Sequence, residues 1–399
     1  MKRMIGFLIS VLLLASVFTA SAASSPVYAA DGQFTERDLL QEADLTGAVR
    51  YTVSDGQDIQ IDSAGVYVLT GTAVNATVIV EAGKDDKVQL VLDGVSVTNT
   101  DFPAIYVKSA DKAFITVSGD SSLSVTGAFR ADGSTNTDGV IFSKADLTLN
   151  GTATLTVSSV CNGIVGKDDI RITGGTYRIS ASSKAVEAND SIRVAGGTLD
   201  LTAGTDGLHA ENDEDAEKGY VYISGGSLTI SAGDDGVHGT SVVQIDSGSL
   251  NIRAAEGIEG TYVQVNGGTV SIQSSDDGIN AGRKSAAYTP TVEINDGDIT
   301  IVMGGGDTDG IDANGNIVVN GGIIRVTGNS TFDYDGTAQY NGGTIIVNGQ
   351  QVSSIPNSMR GGRGGRGGWG GQDGSGWGSQ DGSGRTGQGS GGRGGRHGW

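Results

Sequence analysis

The sequence predicts an all-β fold, a single-stranded parallel β-helix in which coils of about 22 residues stack on one another. A turn glycine recurs at spacings of 20 to 29 residues, and β-type alternation of apolar and polar residues surrounds each copy. No helical period recurs within the repeat, which disfavours an α/β solenoid. The turn glycines are Gly151, Gly175, Gly197, Gly226, Gly248, Gly268, Gly297, Gly322 and Gly343.

Aliphatic residues occupy fixed positions around each turn glycine. Because side chains of a strand alternate between its two faces, a period of two places these residues inside and the polar ones outside. Two residues after the glycine stand Tyr177, Leu199, Leu228, Leu250, Val270, Ile299, Ile324 and Ile345. Four residues after it stand Leu155, Ile179, Leu201, Ile230, Ile252, Ile272, Ile301, Val326 and Val347. We expect both sets to form rows in the core.

The first 30 residues are typical of a secretory signal peptide. They combine a basic start, an apolar run and small residues near Ala29 and Ala30, where cleavage is expected. An uncleaved membrane anchor is the alternative. We therefore expect a secreted protein, extracellular or associated with the cell surface, with no membrane span in its mature form.

The β-helix domain is predicted over residues 31–355. Residues 49–127 alternate less regularly and are interpreted as terminal coils of the same domain. The segment 34–43, FTERDLLQEA, is interpreted as a short helix or an extended lead-in, and as a cap over the first coil. Three insertions, 128–138, 211–219 and 282–290, interrupt the repeat. The last two follow equivalent positions, which predicts that they leave the solenoid at the same edge.

Residues 356–399 form a tail rich in glycine, arginine and tryptophan. Such a composition cannot bury a core, so we expect disorder and contact with an anionic wall polymer, or a tail without a partner. The chain carries a net charge of −20 although this tail is basic, so the preceding body is strongly acidic. An acidic body excludes electrostatic binding of nucleic acid and attracts cations. Cys161, the single cysteine, excludes an intrachain disulfide.

Acidic residues recur at a second fixed position of the repeat, before a glycine. Adjacent coils are separated by one inter-strand spacing, about 4.8 Å, so these residues are expected to form a ladder. Its members are Asp206, Asp235, Glu256, Asp277 and Asp309, extended by Asp138, Asn162 and Lys184 before and by Asp335 after. Three residues further on, a second ladder is predicted from Glu187, His209, His238, Glu259, Asn280 and Asp312.

A ladder of carboxylates requires a source of positive charge. Two like charges at this spacing repel by about 3.5 kcal/mol at an effective dielectric constant near 20. Carboxylate, amide and carbonyl oxygens favour calcium over softer metals. We therefore predict Ca²⁺ between successive coils, with ligands among Asp206, Asp234, Asp235, Glu256, Glu259, Asp276, Asp277, Asn280, Asp307, Asp309 and Asp312.

Turn chemistry is the competing interpretation of these acids. Aspartate stabilises tight turns and the following glycine supplies positive φ, which accounts for any isolated Asp-Gly pair. It accounts less well for the doubled acids, such as Asp234 with Asp235, and for the second ladder. His209 and His238 are neighbours in that ladder and are interpreted as solvent-facing residues rather than metal ligands.

Several segments resemble a known family of secreted bacterial carbohydrate-binding domains. The resemblance rests on DDKVQLVLDGVSVTN, PAIYVKSADKAFITV, NDEDAEKGYVYISGG, SDDGINAG and FDYDG and covers most of residues 35–350. The family consists of calcium-containing right-handed parallel β-helices, similar in shape to pectate-type lyases, that bind cellulose and pectic polysaccharide. The resemblance therefore implies right-handed coils, calcium and a polysaccharide ligand. Cys161–Gly163 and Ser183–Ala185 depart from the acidic-Gly pattern, which puts metal binding near those coils in doubt.

Three functions follow from these features. The first is non-catalytic binding of cellulose or a pectic, uronic-acid glycan, with sugar contacts predicted for His209, His238, Tyr220, Tyr222 and Tyr288. The second is a calcium-dependent lyase, which needs a base; the basic candidates are Lys167, Lys184, Arg171 and Arg178, none of them in an assembled site. The third is a structural or adhesive envelope protein. We assign no catalytic residue.

Overall fold

The structure, a computed structural model, describes residues 26–305 and 308–357. These residues belong to one compact unit and contain one short helix and 34 strands. The first elements are α1 (Glu36–Leu39), β1 (Val49–Thr52), β2 (Ile59–Ile61), β3 (Gly65–Val74), β4 (Val78–Glu81), β5 (Lys87–Asn99), β6 (Ile105–Ser109), β7 (Lys112–Gly119), β8 (Ser121–Val125), β9 (Gly139–Ser143), β10 (Asp146–Gly151) and β11 (Thr154–Ser159).

The central elements contain most of the acidic-Gly positions. They are β12 (Asn162–Gly166), β13 (Asp169–Ile172), β14 (Thr176–Ala181), β15 (Val186–Ala188), β16 (Ser191–Val194), β17 (Thr198–Ala203), β18 (Leu208–Ala210), β19 (Tyr220–Ile223), β20 (Ser227–Ala232), β21 (Asp235–Ile245), β22 (Ser249–Ala254) and β23 (Glu256–Val265).

The last elements complete the stack. They are β24 (Thr269–Ser274), β25 (Ile279–Ala281), β26 (Thr291–Ile294), β27 (Asp298–Met303), β28 (Asp309–Ala313), β29 (Asn316–Val319), β30 (Ile323–Thr327), β31 (Ser330–Tyr334), β32 (Ala338–Tyr340), β33 (Thr344–Val347) and β34 (Gln350–Val352).

The strands form one long, parallel-dominated sheet that winds as a solenoid. In the regular part each strand pairs with the strand three places on, so a coil contributes three strands and the chain has three strand rows. Row A includes β7, β10, β13, β16, β19 and β26; row B includes β8, β11, β14, β17 and β20; row C includes β9, β12, β15, β18, β25 and β28. The long strands β21 and β23 turn the corner from row C to row A. Only β33 and β34 pair antiparallel among the ladders of the described residues.

The predicted apolar rows fill the interior. Residues of both rows, from Tyr177 to Ile345 and from Leu155 to Val326, are at most 2% exposed, and Val347 at the end of the stack is half-buried. The predicted turn glycines all have positive φ. At Gly248, where φ is +106°, an added Cβ would lie 3.1 Å from the carbonyl oxygen of Gly226 in the previous coil. The repeat therefore needs glycine both for the left-handed backbone and for the close stacking of its turns.

Residues 26–41 form a strap along the outer face of row A. Tyr28 contacts β21, Phe34 packs on β19, and Asp38 in α1 binds β10 and β7. The predicted helix is present, but its interpretation as a cap over the first coil is wrong. The buried carboxylate of Asp38 draws it to the side of the solenoid, where Lys112 and Thr148 supply partners.

The insertions lie where the sequence predicts. Residues 211–219 connect β18 to β19 and residues 282–290 connect β25 to β26, so both leave the edge between rows C and A. The Ser285 hydroxyl donates to the carbonyl of Ala216 at 2.5 Å, which joins the two loops. The described ranges contain no helix long and apolar enough to cross a bilayer. The signal-peptide prediction for residues 1–25, and the tail from residue 358 onward, lie outside the described residues.

Candidate functional site

The acidic ladder forms a straight column on row C, which we call the first acidic column: Asp206, Asp235, Glu256, Asp277 and Asp309. Asp235 pairs directly with Glu256. The registers of the strands that follow place Asp206 before Asp235 and Asp277 and Asp309 after Glu256. Its ends differ from the prediction, because Asn162 pairs with Gly139 rather than Asp138, and Ser330 rather than Asp335 stands opposite Asp309.

The second ladder forms a parallel column, the second column: Glu187, His209, His238, Glu259, Asn280 and Asp312. Every neighbouring pair of this column is in register. The column continues with Asp333 opposite Asp312, a residue that the sequence reasoning missed. Its position can be seen in the sequence, since it follows the inward-facing Phe332 as Asp312 follows Ile311.

The protein's own cations, His238 and Lys284, neutralise one half of the two columns, around Asp235 and Glu259. The His238 Nδ1 atom lies 2.7 Å from Asp235 Oδ2 and 2.8 Å from Glu259 Oε2. Burial alone lowers the pKa of His238, but these carboxylates outweigh it and raise the pKa to about 9. Lys284 Nζ lies 2.7 Å from Glu259 Oε1. Burial raises the pKa of Glu259, but His238 and Lys284 lower it to about 2, so this half contains fixed ion pairs.

The two histidines are not solvent-facing, and that expectation is wrong. His209 and His238 are 8% and 7% exposed, and their rings stack with 4.5 Å between centroids. The His209 Nδ1 atom lies 2.9 Å from Asp206 Oδ2 and its Nε2 atom 3.1 Å from Glu211 Oε2. Because carboxylates on both sides hold the rings within the surface, little of either ring remains for the sugar contact predicted for them.

The other half of the columns is rich in carboxylate and amide oxygens. It consists of Glu256, Asp277, Asn280, Asp309 and Asp312. Burial and neighbouring charges raise the pKa of Glu256 to about 7, of Asp277 to about 6 and of Asp312 to about 7. The Asn280 Nδ2 group donates to Glu256 Oε2 at 3.0 Å. Its buried Oδ1 atom has no hydrogen-bond partner within the described ranges. These carboxylates therefore repel one another around an unused amide oxygen.

The remaining predicted ligands separate into two groups. Asp234 and Asp276 are exposed, whereas Asp235, the neighbour of Asp234, is buried. In each doubled acid, therefore, the second residue belongs to the first acidic column and the first residue lies exposed beside it. Asp307 lies outside the described residues.

Lys284 and Glu211 are two further site residues that the sequence did not predict. Both come from the two insertions at the edge between rows C and A, and both reach side chains of the columns. Burial lowers the pKa of Lys284, but Glu259 raises it above its usual value, so the amine is protonated at neutral pH. The sequence indicated this region, because the two insertions follow equivalent positions of the repeat. It could not show which charged residues of the insertions turn towards the columns, since that depends on three-dimensional contacts.

The basic residues considered for a lyase do not assemble into one site. Arg171 is held by Asp146 and Asp169, each at 2.8 Å, and lies on row A. Arg178 lies on row B, and Lys167 and Lys184 lie 3.9 and 4.0 Å from Glu187 at the first end of the second column.

Of the predicted sugar-contact tyrosines, Tyr220 and Tyr222 lie on row A and Tyr288 lies in the 282–290 insertion. Tyr222 is fully buried and its hydroxyl donates to Asp246 at 2.7 Å, so the prediction for Tyr222 is wrong. Tyr220 is covered by the strap, since Tyr28 stacks on its ring with 4.2 Å between centroids. Tyr288 is half-buried, and its ring packs on Tyr262 with 6.1 Å between the ring centroids.

Comparison with known proteins gives consistent matches. The family model described as "Carbohydrate-binding domain-containing protein" matches residues 55–261 and 256–351. A carbohydrate-binding domain-containing protein of Acetivibrio thermocellus is 41% identical over 169 residues, which are 41% of this chain and 59% of that relative. The match therefore spans less than two thirds of the relative's length.

A solved structure is also similar to this chain. It is described as the structure of the polysaccharide lyase-like protein from C. thermocellum, as a gadolinium derivative. The sequence identity is 30% and the TM-score 0.49, with 55% of this chain and 92% of the solved chain covered.

Proposed function

The chain belongs to the family of carbohydrate-binding domain-containing proteins, and from this we propose that it is a secreted, non-catalytic polysaccharide-binding protein. We propose cellulose or a pectic, uronic-acid glycan as its ligand. The right-handed course of the coils is part of the same proposal. The family match carries it, because it covers most of the solenoid.

The outer surface of the solenoid supports binding of a linear polymer. On row B, Thr198, Ser227, Ser249 and Thr269 are in register on successive strands and exposed, so hydroxyl groups repeat at each coil. A repeat of about 4.8 Å along a straight axis presents the same hydrogen-bonding groups at regular intervals. Such an array suits a ligand that is itself an extended repeat.

We propose that Ca²⁺ binds in the oxygen-rich half of the columns. Glu256, Asp277, Asn280, Asp309 and Asp312 would hold it, because their oxygens are the hard ligands that calcium prefers. The unpartnered Oδ1 atom of Asn280 supports this fit. Calcium would supply the positive charge that His238 and Lys284 supply to Asp235 and Glu259. Asp206, which His209 already pairs, is the weaker candidate.

Catalysis by a lyase is less well supported than binding. A lyase needs a neutral base beside the uronate, and Lys284, whose amine reaches Glu259 of the second column, is bound there as an ammonium. We propose that Lys284 is a structural counter-charge. Incubation with polygalacturonate and calcium should then give no ultraviolet absorbance from unsaturated uronates; a progressive rise would establish the lyase.

Pull-down on insoluble cellulose and on immobilised polygalacturonate tests the binding function. We expect retention on at least one polymer, and lower retention in chelator if calcium supports the fold. An envelope or adhesive protein without glycan affinity would bind neither polymer in either condition. The mature protein should be found in the culture medium or on the cell surface, where the basic tail could contact an anionic wall polymer.

A further inference from the structure

A cluster of tyrosines and glutamines interrupts the charged surface of row A. We call it the tyrosine face: Tyr220, Tyr262, Tyr288, Gln244 and Gln264. Tyr220 and Tyr262 lie in β19 and β23, with β21 and its Gln244 between them. Tyr288 comes from the 282–290 insertion and packs on Tyr262. The face is thus built from three coils and one loop.

The first described residues of the chain cover this face. Val27 and Tyr28 pack on the tyrosine cluster. The Tyr28 backbone N–H donates to Gln244 Oε1 at 2.7 Å, and Gln244 Nε2 donates to the Tyr28 carbonyl at 2.9 Å. The Val27 N–H donates to Gln264 Oε1 at 2.9 Å. A ring stacked on Tyr220 and backbone groups paired to two amides therefore occupy the face.

The covering residues precede the predicted cleavage position. Val27 and Tyr28 lie just before Ala29 and Ala30, where signal peptidase is expected to cut. The parts of the strap that follow stay on the mature chain, because Phe34 packs on Tyr222 and Asp38 pairs with Lys112. Cleavage would remove the cover from Tyr220, Gln244 and Gln264 while the rest of the strap holds its place.

The uncovered face has the chemistry of a sugar-binding platform. Aromatic rings bury a large apolar area against a flat partner, and the C–H face of a pyranose ring is such a partner. The amides of Gln244 and Gln264 each offer donors and acceptors to sugar hydroxyls, as they do here to the Tyr28 backbone. Two acids lie at this face, since Asp246 and Glu293 accept hydrogen bonds from Tyr222 and Tyr262. The guanidinium of Arg193 lies 5.3 Å from the centroid of the Tyr220 ring, and its charge is paired with Asp169 at 2.9 Å. Acidic neighbours repel carboxylated sugars.

We propose that the tyrosine face is a binding platform for a neutral β-linked glycan chain, and that Val27 and Tyr28 occupy it until the leader is removed. This inference rests on the proposed function and assigns it a place on the molecule. It also narrows the ligand to an uncharged polysaccharide of the cellulose type, in preference to a uronic-acid polymer.

The test compares two secreted-form chains, residues 31–399 and residues 26–399, for binding of a soluble cello-oligosaccharide by calorimetry. We expect the longer chain to bind at least about tenfold more weakly, because Tyr28 competes for the ring of Tyr220. Tyr28→Ala in the longer chain should restore binding.

In the shorter chain, Tyr220→Ala and Tyr288→Ala should each weaken binding by about tenfold. Tyr340→Ala, a half-buried tyrosine in the last coils, serves as the matched control.

The outcomes distinguish the platform from the function. Equal affinity of the two chains, or unchanged affinity of Tyr220→Ala with a native circular-dichroism spectrum, overturns the platform while the binding function stands. Retention of neither chain on cellulose or polygalacturonate overturns both. If polygalacturonate binds more strongly than the cello-oligosaccharide and Tyr220→Ala abolishes that binding, the platform stands and only the proposal of a neutral ligand is overturned. Mass spectrometry of the exported protein should show an N-terminus after Tyr28, and an N-terminus at or before Tyr28 contradicts the uncovering.

Discussion

The Asp38 Oδ1 atom lies 2.6 Å from Lys112 Nζ, and both side chains are buried beneath the strap. The Asp38 carboxylate also accepts from the Thr148 hydroxyl at 2.7 Å and from the Thr35 backbone N–H at 2.8 Å, which is half of the capping box of α1. A four-residue helix has almost no stability of its own. Its position on row A therefore depends on this buried ion pair, which fixes the strap to the solenoid.

Removal of the Asp38 carboxylate should destabilise the protein strongly. Asp38→Ala leaves Lys112 buried without a partner, which costs about 3–5 kcal/mol in comparable pairs. Glu36→Ala, an exposed acid in the same helix, is the control and should be near neutral. Urea unfolding measures both. Recovery of most of the loss in the double variant Asp38→Ala, Lys112→Met would identify the unpaired ammonium as the cause, and an equal loss in the two single variants would contradict the ion pair's role.

The same pair predicts an acid limit. Burial raises the pKa of Asp38, but Lys112 and Thr148 outweigh it and lower the pKa to about 2 from 3.8. A depressed pKa stabilises the fold above the unfolded value and is lost as the pH falls through the folded value. The advantage of the wild type over Asp38→Asn should therefore be constant above about pH 4 and shrink towards pH 2. Melting curves between pH 2 and pH 6 would show it, and a constant difference throughout would exclude the pair as its origin.

Stacked turn glycines should be sensitive to a single methyl group. Gly248→Ala places a Cβ 3.1 Å from the Gly226 carbonyl at a φ of +106°, so we expect a loss of about 2 kcal/mol or more. At Gly94, φ is +73° and the space around a Cβ is open, so Gly94→Ala should cost only about 1 kcal/mol. Chemical denaturation of both variants measures the difference. Similar losses at both positions would show that stacking between turns adds nothing.

Local sequence patterns were sufficient to predict the repeat and the central members of both columns, but not the ends of the columns. Apolar alternation indicates which residues face inward, and the recurring glycine indicates the register, so the sequence alone aligns Asp235 with Glu256, as the strands pair them. In a solenoid, equivalent positions of successive repeats become neighbours in space. Ladder members can therefore be counted along the chain.

Features that depend on contacts outside the repeat were not predictable in this way. The strap joins Tyr28 to Gln244 across 216 residues, and no period in the sequence links the two. Lys284 reaches Glu259 from an insertion that is held both by the Thr261 hydroxyl and by the other insertion. The burial of His209 and His238 follows from ring stacking and from carboxylates on both sides, which alternation alone does not reveal.

His238 should stabilise the fold in a window of pH. Its pKa is raised from 6.5 to about 9, so the stabilisation is complete below about pH 6.5 and is lost as the pH rises through 9. His238→Gln should cost up to about 3 kcal/mol at pH 6, and the difference from the wild type should narrow by pH 10. Denaturation at several pH values measures it. A difference that grows with pH would mean that the buried imidazole is neutral.

Calcium removal should matter most at alkaline pH. The raised pKa values of Glu256, Asp277 and Asp312 mean that the folded protein holds protons here that the unfolded chain has lost, so metal-free stability should fall as the pH rises from about 4 to 8. Calcium replaces those protons, and a concentration 100 times its Kd adds about 3 kcal/mol to the free energy of unfolding.

Glu256→Gln should raise the melting temperature in chelator at pH 8, since it removes one repelling charge, and should reduce the gain on adding calcium. Asp234→Asn, at an exposed acid next to the column, should change neither value. Identical melting of the wild type in chelator and in calcium at pH 8 would leave the carboxylates as turn residues alone, with water and protons as their only counter-charge.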